Sequence, residues 1–272
     1  MHTSGSTAMT AGILSLLKAH YPTWTNDQII NQLFITAINR DDYNNTNSCN
    51  FDFTGLIGHG LVDAEYALLF NGNVDRNLIW NKDIKVYHNI VVQSGKTLTI
   101  KDGTNLSFEP NKTFNVYGNL IIEGDLTINR TINILSGGSI TIEPGSVLNF
   151  NSNASLIVNG MLNAIGTSNY PITFSTQSGT THSSWGTLTL NGSGTAGSTI
   201  KYSDINYGTK IEVINTSNIT IQYCNINTTY DGVRFNNSTG SILNNNITTN
   251  SLGHGIVAEN AANVTIKENV IT

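Results

Sequence analysis

The chain has 272 residues, of which 39 are asparagine and 25 glycine, while Lys, Arg, Asp and Glu together supply only 11%, under half the usual share of about 25%. That length can bury the core of one large or two ordinary domains. Thirteen basic against 18 acidic residues, a formal net charge of −5, leave no electrostatic footprint for a phosphate backbone, which excludes nucleic-acid binding and long charged helices alike.

From Thr10 to about Phe70 the apolar residues follow a helical period. Ile13, Leu14, Leu16, Leu17 and Ala19 form a stripe that ends at His20-Tyr21-Pro22, where proline cannot continue a helix beyond its first turn. A second helix is expected from Thr25, with Gln28 completing a capping box and Ile29, Ile30, Leu33, Phe34 and Ala37 as its buried face. Arg40 to Phe53 is asparagine-rich and expected as a loop, and Gly58-His59-Gly60-Leu61-Val62-Asp63 leads into a short helix over Ala64 to Leu69.

Beyond about Ile84 the period changes to short alternating runs, many β-branched, separated by Gly and Asn. Gly95, Gly103, Gly118 and Gly124 recur at a constant displacement of 42 as Gly137, Gly145, Gly160 and Gly166, accompanied by matching apolar positions. Isoleucine pairs then follow at Ile200/Ile205, Ile221/Ile226, Ile242/Ile247 and Ile266/Ile271, in steps of 21, 21 and 24. One coil of about 21 residues explains both spacings. Its corners need left-handed backbone, which Gly and Asn tolerate best. Ser203, Cys224, Asn245 and Asn269 fall at one place in successive coils and predict a stack of small polar side chains.

The resulting organisation is a helical part over 1–72, a linker over 73–83 and a β part over 84–272, of about nine coils and roughly 43 Å. Cys49 and Cys224 show no CxxC spacing, so neither a disulfide framework nor a zinc knuckle is supported. No apolar run reaches the roughly 18 residues of a membrane span, and Met1-His2-Thr3-Ser4 lacks the basic start of a secretory signal.

The β part resembles the right-handed parallel β-helix of the pectate-lyase-like superfamily. Leu162-Asn163-Ala164-Ile165-Gly166-Thr167, then Pro171-Ile172-Thr173-Phe174 and Trp185-Gly186, are similar to coils of bacterial surface β-helix proteins. The helical part resembles the C-terminal end of a subtilisin-like serine protease domain. That resemblance rests on His2-Thr3-Ser4-Gly5-Ser6-Thr7-Ala8-Met9-Thr10-Ala11-Gly12, on Tyr21-Pro22 with Thr25 and Gln28-Ile29-Ile30 through Thr36-Ala37, and on Gly58-His59-Gly60-Leu61-Val62-Asp63-Ala64. It places Ser4 at the nucleophile, at the amino end of a buried helix, where amides and the helix dipole favour an oxyanion. His2, Gly5 and Ala8-Met9 depart from the family's glycine, methionine and Pro-His.

The resemblance implies a mainly β fold preceded by a small helical protease fragment, silent alone because the catalytic histidine and aspartate come earlier in the family's chains. It also implies an extracellular or cell-surface location and a polypeptide substrate for the full-length protein. With no polar cap after Ile266/Ile271, both ends read as cut. No cofactor is expected, structural calcium being left open. The β-helix is expected to serve display or to bind a polysaccharide or another partner, with a non-enzymatic adhesin or carbohydrate-binding protein as the first alternative. Polysaccharide lyase or hydrolase chemistry is the second. Gly253-His254-Gly255 matches a glycosidase triplet, yet no paired aspartates precede it in the coils, so a corner turn is the expectation. Asp204, Glu212, Asp231, Glu259 and Glu268 are scattered, with Arg234 beside Asp231 read as a surface ion pair. Trp185, Tyr202, Tyr207, Tyr223 and Tyr230 are candidates for an aromatic platform under sugar rings.

Overall fold

The computed structural model describes residues 3–37, 62–81, 83–176, 185–250, 252–260 and 262–272. His2, Asp41-Asp42, Cys49 and Gly58-His59-Gly60-Leu61 lie outside them. Helix α1 runs Thr3–His20 and stops ahead of Pro22. Helix α2 (Asn26–Thr36) begins at the expected capping box, with Thr25 Oγ1 accepting from the Gln28 amide and Gln28 Oε1 accepting from the Thr25 amide. Helix α3 (Ala64–Leu69) is capped by Asp63, whose carboxylate accepts from the Tyr66 amide at 2.9 Å.

α2 is buried differently from its expected face. Ile29, Leu33 and Ala37 are buried as expected, but Ile30 is exposed, and Asn31, Gln32 and Ile35 are buried as well. The helix is clamped from two sides. Ile29 and Leu33 pack with Leu17 and Ala67 in a small helical core, while Ile35 joins the first coil of the β part. The Gln32 amide donates to the Ala67 and Phe70 carbonyls, both at 2.8 Å, and the Trp80 indole N–H donates to the Ile35 carbonyl at 3.1 Å.

The β part is a parallel solenoid of about nine turns. Three strand columns run along it. The first starts at Leu78–Trp80, the second at Ile84–Val86 and the third at Asn73–Val74. Asn73–Val74 and Leu78–Trp80 pair with the coil that follows, so the stretch expected as a linker over 73–83 already belongs to the solenoid. Helices and solenoid share one core, since Ile35, Tyr66 and Phe70 cluster with Val74 and Trp80. α2 and α3 thus close the first coil, which would otherwise expose its apolar interior.

Inside, like stacks on like. One column reads Trp80, Ile100, Ile122, Ile142, Ala164, Ile200, Ile221, Ile242 and Ile266, each hydrogen-bond-paired with the next. From Trp80 to Ala164 the steps in sequence number alternate between 20 and 22, and one step of each kind makes up the displacement of the repeated glycines. From Ala164 to Ile200 the step lengthens to 36. The second and third columns merge where Ser203–Ile214, a single 12-residue strand, bends round a corner with a register shift between Asn206 and Gly208.

Seven of the eleven described non-glycine residues with positive φ are asparagines, at 111, 153, 215, 218, 237, 244 and 260. The predicted polar column is present at the corner between the first and second strand columns, directly after the left-handed Tyr202, Tyr223, Asn244 and Glu268. The Cys224 amide donates to Asn245 Oδ1 (2.9 Å), Asn245 Nδ2 donates to the Ile221 carbonyl (3.0 Å) and to Asn269 Oδ1 (2.9 Å), and Asn269 Nδ2 donates to the Ile242 carbonyl (2.8 Å). Burial pushes the Cys224 thiol up to about 12, so it sits in this column as a neutral, unreactive group.

Asn245 is 2% exposed, and its removal strands the Cys224 amide and the Ile221 carbonyl inside the corner. Asn245→Leu is therefore expected to destabilise the solenoid by about 2–4 kcal/mol, as two buried groups lose their partners. Urea unfolding followed by circular dichroism measures the loss.

Candidate functional site

Ser4 falls in the first turn of α1; its side chain lies outside the described set. The helix it opens is not buried as expected. From Thr7 to His20 only Leu17 is fully buried, with Met9 72% and Leu16 56% exposed. Ile13 and Leu14 are partly buried against the helical core.

The polar chemistry of the solenoid gathers on the second strand column, over Ser203–Ile214, Asn225–Thr228 and Asn246–Thr248. Strand alternation turns Ile205, Ile226 and Ile247 inward, which sends their neighbours outward. The outward positions make two rows, Asp204, Asn225, Asn246 and Asn206, Asn227, Thr248. Asn225 Nδ2 donates to Asp204 at 2.7 Å. Among the described residues the side-chain amides of Asn206, Asn227 and Asn246 have no protein partner. The result is a flat face of free amides repeated at the coil spacing of about 4.8 Å.

One edge of this face is a charged corner. Asp231 is fully shielded and takes Arg234 Nη1 at 2.8 Å, the His254 amide at 3.1 Å and His254 Nδ1 at 3.3 Å. Arg234 is in turn held by Glu259 through Nε and Nη2, both at 3.0 Å. Sequence reasoning treated Gly253-His254-Gly255 and Asp231/Arg234 separately, and the structure brings them together. They meet because Gly232 and Val233 pair with His254 and Gly255 on the next coil. The triplet is the tight corner expected of it. A Cβ on Gly253 would run into the Tyr230 carbonyl, and one on Gly255 into the Ile271 side chain.

Burial by itself raises the Asp231 pKa, but hydrogen bonds from the His254 amide and ring and from Arg234 outweigh it and hold the carboxyl below its ordinary value. The imidazole projects outward, its side chain 73% exposed. Acid/base cleavage of a sugar needs a carboxyl able to trade its proton, whereas Asp231 is held in its charged form by Arg234 and His254. Arg234, engaged on both sides, is equally unsuited to take a proton. Among the described residues no three His, Cys, Asp or Glu side chains converge on a metal-sized site. The corner is built to hold shape and to offer donors.

The opposite edge carries a pair of tyrosines. Tyr202 and Tyr223 stack with ring centroids 4.9 Å apart and planes 18° from parallel. Tyr207 and Tyr230 lie on the charged edge instead, Tyr230 exposed and Tyr207 packed against the core. Trp185 is no platform residue. It is 2% exposed, stacks on Phe150 at 4.9 Å and donates its indole N–H to the Asn206 carbonyl at 2.8 Å.

The depressed Asp231 pKa stabilises the fold above the unfolded value of about 3.9, and this contribution is lost as pH falls through the folded value. Asp231→Asn is expected to cost about 1–3 kcal/mol at pH 7, where it weakens charge-assisted bonds in a shielded site. The gap from wild type should close as pH drops below about 4; thermal unfolding of both proteins from pH 3 to 7 reads it.

Compared with known proteins, the chain matches no protein-family model, no curated protein and no solved structure.

Proposed function

We propose that this chain is the distal part of a secreted subtilisin-like serine endopeptidase whose solenoid displays the protease at the cell surface and holds glycan. That solenoid is a right-handed β-helix with a repeat of about 21 residues per coil. The observation that carries the protease half is α1. It contains no acidic residue and Lys18 as its only Lys or Arg, yet it leaves Met9 and Leu16 in solvent. Helices of that composition belong inside larger domains. The three sequence blocks supply the identity of the missing surroundings, a protease sheet bearing the catalytic aspartate and histidine, with Ser4 as nucleophile and polypeptide as substrate. Alone, the chain is inactive.

A fluorophosphonate probe tests this. The chain as it stands should take no label, whereas the chain extended by its upstream coding sequence should label once, and Ser4→Ala should abolish the adduct. Absence of Asp- and His-bearing protease blocks upstream would overturn the protease origin.

The free amides of Asn206, Asn227 and Asn246 favour a second reading that needs no enzyme, namely a carbohydrate-binding or adhesive β-helix. Neutral amides on a face of repeating spacing match the hydroxyls of an extended polysaccharide. A glycan array probed with the whole chain should return polysaccharide hits without cleavage products; release of reducing sugar would restore the lyase or hydrolase alternative.

A further inference from the structure

The tyrosine edge of the amide face opens into a shallow groove. Tyr202, Tyr223, Asn244 and Glu268 occupy the same corner of four successive coils. Their amides follow one ladder, Tyr202 to the Gln222 carbonyl, Tyr223 to Leu243 and Asn244 to Lys267, and all four have left-handed backbone, with φ of 47°, 56°, 56° and 57°. Identical backbone at identical corners sends the four side chains out in one direction. The first two are rings stacked on each other. The third is short, so the stack stops and the far face of Tyr223, which is 44% exposed, meets open space. That space belongs to a shallow, open groove of about 420 Å³ that runs past both tyrosines and is lined further by Asn225, Asn244, Asn246, Val270 and, one coil further on, Glu268.

We propose that this slot is a binding subsite for one pyranose ring of a neutral glycan, the sugar lying on Tyr223 where a third aromatic ring of the column would lie. The inference rests on the glycan-binding reading above and adds to it the site, the ring and the charge class. An aromatic face takes the apolar side of a pyranose. The rim then meets its hydroxyls with groups that have nothing else to bind, since the amides of Asn244 and Asn246 have no protein partner among the described residues. Glu268 accepts from sugar hydroxyls across the slot, and its carboxylate repels a uronate. Asp204 beneath Asn225 adds a second negative charge on the same side.

The experiment is affinity electrophoresis of the whole chain in native gels containing galactomannan, xyloglucan or polygalacturonate. Retardation is expected with at least one neutral polymer and not with polygalacturonate. Tyr223→Ala should weaken it tenfold or more, Tyr223→Phe should retain it, and Tyr230→Ala, outside the column, should leave it unchanged. Asn244→Tyr is the control for folding. Tyrosine already occupies this left-handed position in two neighbouring coils, so the variant should fill the slot, abolish retardation and keep or raise the melting temperature. Equal or stronger retardation by polygalacturonate would overturn the charge class. Undiminished binding in both Tyr223→Ala and Asn244→Tyr would overturn the subsite while leaving glycan binding elsewhere on the face, whereas no retardation by any polymer would remove both the subsite and the reading it rests on.

Discussion

Everything in this molecule depends on coils satisfying one another's backbone. A strand in a parallel solenoid has no partner within its own turn, so its N–H and C=O groups must be met by the turn before and the turn after. Register is then set by what the interior accepts. A slip of one residue would send Ile221 outward and Gln222 inward, and the whole column from Trp80 to Ile266 would lose its stacking. The same rule makes polar side chains in the interior cooperative. Asn245 is tolerable at 2% exposure only because Ile221 and Cys224 before it and Asn269 after it supply its partners.

Stacking also decides where function can reside. Inward positions are committed to the core, and strand alternation leaves the outward rows and the corners. Corners require left-handed backbone, a conformation that asparagine accepts and most larger residues resist. The three tyrosines found there, at 202, 207 and 223, run against that preference. Tyr207 is explained by packing on the core. Tyr202 and Tyr223 gain each other's ring faces, which accounts for the pair and leaves Tyr223's outer face without a structural use. A residue type held in an unfavourable conformation, with one face still open, is the kind of outlier from which function can be argued.

The fold was written openly in the sequence because repetition is visible without any knowledge of contacts. The constant displacement of the glycines, the isoleucine pairs and the asparagine excess each follow directly from coil geometry. The charged corner was hidden for a related reason. Asp231 and His254 lie far enough apart along the chain to look unrelated, and only a coil register assigned residue by residue reveals that their separation means adjacency. Trp185 misled because an aromatic in a coil reads the same whether it faces in or out, and here the lack of a side chain at Gly208 gives its ring room to lie inward. The first strands, Asn73–Val74 and Leu78–Trp80, are too short to show alternation, so they read as a connector. The burial of α2 escaped a single-stripe reading because the helix has two partners and hence two apolar sides.

The helices then separate into two roles that their sequences alone do not distinguish. α2 and α3 bury Ile35, Tyr66 and Phe70 on the first coil, and this is sufficient to close the solenoid's core. α1 contributes Leu17 to the cluster behind them, with Ile13 and Leu14 packed partly buried beside it. Ordering a helix of this length costs on the order of 1–2 kcal/mol per residue in backbone entropy. Intrinsic helix formation scarcely offsets that in water without a packed face. The packed face of α1 is Leu17, fully buried, with Ile13 and Leu14 partly so. The capping role therefore explains α2 and α3, whereas α1 keeps an exposed apolar side at Met9 and Leu16 that closing the solenoid does not require.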